Sequence, residues 1–476
     1  MKKLIPIIVL SMMLSGCGAL EYILLQPNSN VNSEHPDNAD RQETQPEKNE
    51  SKPPQQSVNE GSWSTFQKSA TIEETVLVDE YDVRITATEL SYDNYSAKLG
   101  LVFENNSEKE LSFISNSFGY SCNSVNGYMV ETGYLNCNVA AGKKAKATIS
   151  FDYDLLMLYG IYEIADIEIG FDIEDDDYNH NYSGPRQIKT SIADSYDYEL
   201  PDFKKSIANK ALQSMYDYKI LFSSDKTLYD QNGVSVVSSS LVINTDGDRT
   251  LMLEVRNTSA QSVVVSSSEI CLNSLEIYNS TWSSNIINPG KTRIFDLGLS
   301  DMLDGNCWDV YGLQEIGEIS FSLDFKNIDE NVLSSPAVIT VSNPSASSKF
   351  NKDGREVYNA NNIRIVMKDI VESDSEYRDD MYILLFVENN TADTISLRDV
   401  YDSFSLNGYM MDCSLPVVTV KSVTCSVLEI RLLESDLEEN DITSPEDINE
   451  IEFSVIIRNS YQKKIDEAVI HIDTSL

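Results

Sequence analysis

Histidine is scarce in this chain of 476 residues, which contains only His35, His180 and His471. A Ser-His-Asp or Cys-His mechanism needs a histidine held by an orienting group beside a nucleophile, and none of the three lies in a nucleophile motif. The sequence also lacks a Gly-rich phosphate loop, a Cys-x-x-Cys pair and a His-Glu-x-x-His pattern. These absences predict that the protein is not an enzyme.

Basic residues are few relative to acidic ones. The chain carries 36 Lys and Arg against 76 Asp and Glu, which gives a formal net charge of −40. Binding to nucleic acid needs clustered cations that replace the counterions of the phosphates, so DNA and RNA are excluded as expected partners. An acidic surface of this kind is typical of a soluble exported protein.

The apolar run at the N-terminus is short. Residues 4–10 follow Lys2 and Lys3 and are too few to span a bilayer as a mature helix. A positive start, a short apolar run and a small-residue ending are the parts of an export signal. We therefore expect residues 1–17 to be a signal peptide.

The end of this signal, Leu14-Ser15-Gly16-Cys17, resembles the lipobox of bacterial lipoproteins. The resemblance implies that Cys17 receives a diacylglyceryl group and becomes the first residue of the mature chain. Two acyl chains on one residue give stable membrane anchoring. The expected location is the extracellular face of the cell membrane, with the membrane as a partner through the lipid anchor.

Residues 18–69 are predicted to be a disordered tether. Between about residues 26 and 67 the chain consists mainly of Asn, Pro, Gln, Ser and Glu, with almost no aliphatic residues. Such a segment cannot bury enough apolar surface to offset its ordering entropy. A flexible chain of roughly 40 residues has an r.m.s. span on the order of 35 Å. Trp63 and Phe66, near its end, are candidates for the first docking contact with the folded part.

Three segments further along share one pattern. Apolar residues alternate into a polar turn headed by asparagine and then alternate out of it, which is the period of two half-buried strands. The segments are residues 99–113, 251–265 and 383–397, with Asn105, Asn257 and Asn389 at their turns.

A second marker keeps the same spacing. Asn257 lies 152 residues after Asn105, and Ile316 lies 152 residues after Ile164. Two distant markers with one offset indicate an internal repeat. The predicted domains are residues 70–195, 222–342 and 355–476, joined near 191–224 and 342–355.

Seven or so short strands in roughly 120 residues are typical of an immunoglobulin-like sandwich. The fold class predicted is all-β, with three tandem antiparallel immunoglobulin-like β-sandwich repeats. Helix is expected only as a short crossing near the end of each repeat, around Tyr153, Ser300 and Ser435, the last with a possible capping box.

Turn motifs after the first strand pair also carry a family resemblance. The order Asn-Asn-Ser, Asn-Gly and Gly-Lys occurs at residues 105–107, 126–127 and 142–143, and partly at 389–391 and 407–408. The second copy departs from it with Asn273-Ser274. The pattern resembles the tandem immunoglobulin-like domains of lipoproteins from Gram-positive bacteria, many of them of unknown function. The resemblance implies a fold rather than an activity.

One acidic run is dense enough to be weighed as a metal site. Calcium needs six to eight converging oxygens, and four adjacent carboxylates could supply several, although the spacing is not that of an EF-hand. A solvated loop between strands is the favoured interpretation, so no cofactor is expected and calcium stays an alternative. The candidate residues are Asp172, Glu174, Asp175, Asp176 and Asp177, with a lesser run at residues 374–380.

Six cysteines follow Cys17, two in each repeat, at positions that are not equivalent between repeats. A turn near Thr419 would place Cys413 opposite Cys425, so these two are the predicted disulfide. If residues 126 and 127 form a two-residue hairpin loop, Cys122 and Cys137 are too far apart to bond. That pair and the pair Cys271 and Cys307 are expected to be reduced.

The function predicted is that of a surface-tethered spacer or protein-binding module without enzymatic activity. A carbohydrate-binding or cell-wall-binding lipoprotein is the alternative, because Trp282, Trp308 and many tyrosines are available for stacking on sugars. A transporter's solute-binding protein is disfavoured, since the βαβ alternation of its two lobes is missing. The expected partner is an extracellular protein or a glycan.

Overall fold

In the computed structural model, strands whose residues alternate between apolar and polar place these residues alternately in the core and in solvent. The structure describes residues 65–115, 123–278, 285–300, 307–327, 332–333, 337–373 and 380–474. In the strand Ser96–Asn105, every second side chain from Ala97 to Phe103 is buried. The predicted signal peptide with Cys17, most of the tether, Trp63, Cys122 and Trp282 lie outside the described residues.

Repeat 1 (predicted as residues 70–195) contains two sheets. One has the strand order β1-β2-β3-β8, and the other contains β4 to β7, β9 and β10. The elements are β1 (Thr75–Glu80), β2 (Val83–Tyr92), β3 (Ser96–Asn105), β4 (Leu111–Ser115), β5 (Asn123–Val125), β6 (Tyr128–Val130), β7 (Leu135–Val139), β8 (Lys144–Asp152), α1 (Tyr153–Leu158), β9 (Asp166–Asp175) and β10 (His180–Lys189).

The connection to repeat 2 contains a 3-10 helix at Ala193–Ser195, α2 (Phe203–Ile207) and α3 (Lys210–Met215). Repeat 2 (predicted as residues 222–342) then follows the same plan. Its elements are β11 (Tyr218–Ser224), β12 (Tyr229–Gln231), β13 (Val234–Asn244), β14 (Arg249–Asn257), β15 (Val263–Leu272), β16 (Leu275–Tyr278), β17 (Asn285–Ile287), β18 (Lys291–Gly298), α4 (Cys307–Val310), β19 (Glu318–Asn327) and β20 (Ala337–Ser342).

Repeat 3 (predicted as residues 355–476) closes the chain. It has a 3-10 helix at Pro445–Asp447. Its other elements are β21 (Arg355–Ala360), β22 (Ile363–Glu372), β23 (Met381–Asn389), β24 (Ile395–Asp399), β25 (Ser405–Leu406), β26 (Tyr409–Met410), β27 (Cys413–Ser414), β28 (Val418–Val420), β29 (Thr424–Leu432), α5 (Glu434–Glu439), β30 (Glu450–Asn459) and β31 (Lys464–Asp473). The expectation of an all-β chain of antiparallel sheets in tandem is confirmed.

The three predicted strand-turn-strand segments each cross from one sheet to the other. In repeat 1, β3 belongs to the first sheet and β4 to the second. Their side chains meet between the layers, where the ring centroids of Phe103 and Phe113 are 4.9 Å apart. The crossing therefore ties the two layers of each sandwich together.

The asparagine at each crossing is fully buried. The side-chain amide of Asn105 donates to the carbonyl oxygens of Lys109 and Val139, each at 2.8 Å. Its side-chain oxygen accepts from the amide of Ser107 at 2.9 Å and from the Ser107 hydroxyl at 2.7 Å. Asn257 and Asn389 make the same set of bonds in repeats 2 and 3. The repeated Asn-x-Ser/Thr pattern is thus a buried hydrogen-bond network.

Buried apolar side chains form three clusters, one for each repeat, and the clusters exchange members. The cluster of repeat 1 includes Met252 and Ile294 of repeat 2. The cluster of repeat 2 includes Met129 of repeat 1 and Phe386 of repeat 3. The domain boundaries given above stay a prediction, and the shared cores show that neighbouring repeats pack closely.

The short crossing helix is confirmed at α1, and Phe66 docks on its first residue, with its ring 4.3 Å from that of Tyr153. The capping box predicted at Ser435 is wrong, because α5 is preceded by Leu433 and Ser435 lies inside it. The helices α2 and α3 were not predicted, since each is a single turn or so with no clear period. None of the helices in the described ranges is long and apolar enough to cross a membrane.

Candidate functional site

The acidic run proposed for calcium forms the turn between β9 and β10. Carboxylate oxygens of residues 175–177 lie within 4.8 Å of one another, and Glu174 does not belong to that group. Asp172 is directed elsewhere, since its two carboxylate oxygens each lie 3.1 Å from Nδ1 of His180. The structure thus brings together three of the five predicted ligands.

Lys109 forms ion pairs with two carboxylates of this acidic turn. Lys109 Nζ lies 2.7 Å from Asp175 Oδ2 and 2.6 Å from Asp177 Oδ2. Hydrogen bonds from Lys109 and Asn179 hold the pKa of the Asp175 carboxyl well below its usual range. The turn therefore carries its own counter-charge, as expected for a solvated loop between strands.

The lesser acidic run at residues 374–380 lies outside the described residues except for Asp380. Asp380 is buried, accepts from Arg431 Nε at 2.8 Å and accepts from the amide of Glu434 at 3.0 Å. It holds the start of α5 against the sheet, which is a structural role.

The predicted disulfide between Cys413 and Cys425 is wrong. Both are free thiols, and the strand register places Cys413 opposite Leu432, whereas Cys425 lies opposite Glu388. Seven residues of strand separate the two positions along β29, or roughly 23 Å. The expected simple turn near Thr419 does not form, because β28 leaves to pair with β24 in the other sheet.

Free thiols are also found in the first two repeats. Cys137 and Cys271 are free, and Cys122 lies outside the described residues. Burial raises the pKa of the Cys271 thiol to about 11 and that of Cys413 to about 12. Thiols with such pKa values carry little thiolate at neutral pH and are poor nucleophiles.

The aromatic residues considered for sugar stacking are dispersed. Trp308 is buried, with the Arg249 guanidinium 4.3 Å from its ring, so it cannot contact a glycan. Among the described residues, the tyrosines that are more than three-quarters exposed belong to four separate turns, at Tyr95, Tyr178, Tyr401 and Tyr461. These positions do not favour the carbohydrate alternative.

Each repeat also contains a two-residue hairpin headed by a second asparagine. In repeat 1 the hairpin joins β5 to β6 through Asn126 and Gly127, both with positive φ. The Asn126 side-chain oxygen accepts from the amides of Ala165 and Asp166 at 2.8 and 3.1 Å. Asn273 and Asn407 accept in the same way from 317–318 and 449–450. Repeat 2 has Asn273-Ser274 in place of Asn-Gly, and it nevertheless forms the same turn.

The second strand of this hairpin connects repeat 1 to repeat 2. β6 runs parallel to β18, with Tyr128 opposite Thr292, and the Thr292 amide donates to the Gly127 carbonyl at 2.9 Å. Met129 on β6 is fully buried and packs in the core of repeat 2. The sheet of one repeat thus continues into the next.

Two largely buried ion pairs flank this junction. Lys291 Nζ lies 2.5 Å from Glu168 Oε1, and Arg293 Nη2 lies 2.6 Å from Glu131 Oε1. Both basic residues come from β18 and both acids from repeat 1. Buried ion pairs of this kind fix the orientation of the two repeats. Removing one partner is destabilising because it leaves the other charge buried and unpaired.

The junction between repeats 2 and 3 repeats the arrangement. β16 runs parallel to β29, with Leu275 opposite Cys425 and Glu276 opposite Ser426. A hydrogen bond from the Tyr311 hydroxyl to the Leu385 carbonyl at 2.9 Å closes the interface on one side. Leu275 is fully buried.

The two junctions have the same strand register. Tyr128 and Leu275 each lie two residues after the hairpin asparagine, at Asn126 and Asn273. Their partners on the next repeat, Thr292 and Cys425, are also equivalent. Each comes one residue after the residue that lies opposite the crossing asparagine of that repeat. Those crossing pairs are Asn257 with Lys291 and Asn389 with Thr424. One docking geometry is therefore used twice.

Glu276 makes the second junction sensitive to pH. Its carboxylate is buried, and Oε2 has no hydrogen-bond partner among the described residues. Burial raises the pKa of Glu276 to about 7, with Glu269 adding to the rise and Lys421 opposing it. Between its ordinary pKa near 4.5 and about 7, the folded state therefore binds a proton that the unfolded state does not.

We expect the free energy of unfolding of this part to fall as pH rises from 5 to 8, by on the order of 2 kcal/mol from Glu276. Glu276→Gln should remove that slope, since the amide stays neutral. Denaturant unfolding of both proteins at pH 5, 6, 7 and 8 checks the prediction. Equal slopes in the two proteins would contradict it.

In repeat 3 the strand of the same hairpin is not docked on another repeat within the described residues. β26 lies at the edge of its sheet and pairs with β25 within the described chain. Tyr409 and Met410 are each 61% exposed, whereas their equivalents Tyr128 and Met129 are 7% and 0% exposed. The docking strand of repeat 3 is open.

The sequence carries a signal for this site. Residues 126–129 and 407–410 both read Asn-Gly-Tyr-Met. An Asn-Gly pair by itself predicts only a backbone conformation, whereas the Tyr-Met pair after it is shared by the two hairpins. Tyr128 and Met129 were therefore missed as interface residues, as were Tyr409 and Met410.

A polar cleft of about 950 Å³ lies beside the first junction. Two ion pairs lie in its lining, Arg256 with Glu254 at 2.7 Å and Lys204 with Asp225. Because its lining comes from both repeats and from the segment that connects them, the cleft is explained as the gap between two packed repeats.

No family model matches the chain, and no curated protein matches it. Among solved structures it is similar to the red sea bream transglutaminase, at 8% identity and TM-score 0.15, over 56% of this chain and 31% of that one. It is also similar to part of a 1.5-MDa bacterial ice-binding adhesin, at 9% identity and TM-score 0.14, over 79% and 90%.

A biofilm-associated protein BSP domain is similar at 9% identity and TM-score 0.12, over 88% of this chain and 68% of that one. The chain spans less than a third of the length of the transglutaminase. TM-scores this low carry no argument about function.

Proposed function

We propose that the chain is a membrane-anchored extracellular lipoprotein without enzymatic activity, and that its array of β-sandwiches presents a protein-binding surface. The observation that supports this function is the open hairpin of repeat 3. Two equivalent hairpins in the same chain bury their strands against a neighbouring sandwich. A third one left exposed offers the same chemistry to another protein.

The surroundings of β26 suit a protein partner. Tyr401 is 86% exposed, and it lines a shallow pocket of about 380 Å³ together with Met410 and Phe404. Asp402, Asp412, Asp436 and Glu439 surround that pocket. Exposed apolar side chains with a polar rim and an unpaired strand edge are the features of a surface that accepts a β-strand.

The anchor and the open hairpin belong to opposite ends of the chain. Cys17 precedes the tether, and the hairpin lies in the last repeat. Under this proposal the three repeats also act as a spacer that separates the docking strand from the anchor. The lipobox ending at Cys17 supports the anchor, the bacterial origin and the extracellular location.

The anchoring part of the proposal has a direct test. Cys17→Ala should move the protein from the membrane fraction into the soluble fraction or block its processing, because the acyl chains have no other attachment point. Fractionation of cells producing each protein measures this. Ser15→Ala keeps the cysteine and replaces one small residue of the lipobox with another, so this control should stay membrane-bound.

Protease added to intact cells should also release the folded part by cutting in the tether. Unchanged membrane partitioning of Cys17→Ala, or protection from the protease, would contradict the proposed anchoring and location.

A further inference from the structure

The described residues contain three docking hairpins and three equivalent edge strands that could receive them. The hairpin strand β6 occupies the edge strand β18, and β16 occupies β29. One hairpin strand and one edge strand of the same kind are left, namely β26 in repeat 3 and β8 in repeat 1. β8 forms the edge of its sheet and pairs with β3 in the described chain.

We propose that β26 of one molecule pairs with β8 of a second copy of this chain, in the parallel register of the two internal junctions. This proposal rests on the protein-binding surface proposed above and names its partner. The register predicts that Tyr409 lies opposite Lys144 of the second copy, as Tyr128 lies opposite Thr292. The two residues are equivalent because Glu104 pairs with Lys144 and Arg256 with Thr292.

The ion pair of the first junction can be reproduced between copies. Lys143 is equivalent to Lys291, since each follows the glycine of the same turn. Glu452 is equivalent to Glu168. Ser124 and Ser405 each lie two residues before the asparagine of their hairpin, and they pair with Glu168 and Glu452. Lys143 and Glu452 are both exposed.

The wider charge distribution also favours this partner. In a chain with a net charge of −40, Lys143, Lys144 and Lys146 lie together around the start of β8, and of these Lys144 is paired with Glu104 at 2.8 Å. The pocket next to β26 is lined by five carboxylates. A basic edge and an acidic hairpin attract each other locally, which selects this edge over the acidic remainder of a second molecule.

Such a contact joins two different surfaces and leaves one free hairpin and one free edge on every assembly. It therefore builds open-ended rows rather than closed pairs. Inside the chain the junctions form at a high effective concentration because the repeats are linked. Between molecules the same small contact is weaker, so association should appear at high protein concentration or on a membrane that concentrates the copies.

The test uses two variants of the full chain, each also carrying Cys17→Ala so that lipid plays no part and anchoring is not at issue. The hairpin variant is Tyr409→Asp with Met410→Asp, and the edge variant is Lys143→Glu with Lys146→Glu. All four positions are exposed, so the fold should be kept, and circular dichroism verifies it. Tyr461→Asp, at a tyrosine 83% exposed on another turn, is the matched control.

Sedimentation equilibrium should show that the average mass of the Cys17→Ala parent rises with concentration past that of two chains without levelling. Each variant alone should associate at least tenfold more weakly, while Tyr461→Asp should behave as the parent. Mixing the two variants should restore a contact that stops at two chains, because only one competent hairpin and one competent edge remain.

A parent that stays monomeric at every concentration would overturn the proposal. So would a mass that levels at two chains and is unaffected by the variants, since that is the behaviour of a symmetric dimer formed elsewhere. Neither result would alter the membrane fractionation of the wild-type protein, so this proposal and the anchoring proposal can fail separately.

Discussion

Replacing Asn105 with alanine should lower the free energy of unfolding of repeat 1 by about 3 kcal/mol. The change removes four hydrogen bonds, each worth about 1 kcal/mol net, including those from the side-chain amide to the carbonyls of Lys109 and Val139. Denaturant unfolding followed by hydrogen exchange at the Ser107 amide measures both the size and the place of the effect.

The next residue supplies the control for this experiment. Asn106 is exposed, and its bond to the chain is made by its backbone amide, which donates to the Asp82 carbonyl at 2.8 Å. Asn106→Ala should change the free energy of unfolding by less than about 0.5 kcal/mol. Similar losses from both substitutions would show that the turn, rather than the buried amide, carries the stability.

Replacing Met129 with alanine should weaken repeat 2, although the residue belongs to repeat 1. Met129 is fully buried among the core side chains of repeat 2, and a buried methionine truncated to alanine costs about 2–5 kcal/mol. Hydrogen exchange should accelerate in β14 and β18 more than in β3. A loss confined to repeat 1 would contradict the packing across the junction.

Met410→Ala is the matched control, because the same four-residue sequence surrounds it in repeat 3. Its side chain is 61% exposed, so the free energy of unfolding of a dilute sample should change by less than about 0.5 kcal/mol. The pair of substitutions measures what docking of this hairpin contributes, with the local sequence held constant.

The strands and their spacing were open to prediction because they depend on local patterns. Alternating apolar residues around Asn105, Asn257 and Asn389 were enough to place a strand on each side of the turn, and equal offsets were enough to infer a repeat. The structure adds the reason for the asparagines. Each one is buried and bonds to a strand about 30 residues further on, a partner that no local pattern identifies.

The pairing between repeats could not be inferred in this way. β6 and β18 are joined by one opposed residue pair, Tyr128 with Thr292, and such a short parallel contact leaves no periodic trace in either strand. The same limit explains the error at Cys413, since the prediction needed to know that β28 joins the other sheet. Comparing Asn-Gly-Tyr-Met between repeats 1 and 3 would have indicated a shared surface, though not its partner.

Docking of each hairpin on the following edge also bears on how such a chain can lengthen over evolutionary time. A duplicated repeat inserted in the middle brings one hairpin and one edge, and both are covered at once by its neighbours in the two junctions already present. The count of uncovered strand edges of this kind stays at two whatever the number of repeats. Growth by gene duplication therefore adds length without adding a site for uncontrolled β-aggregation.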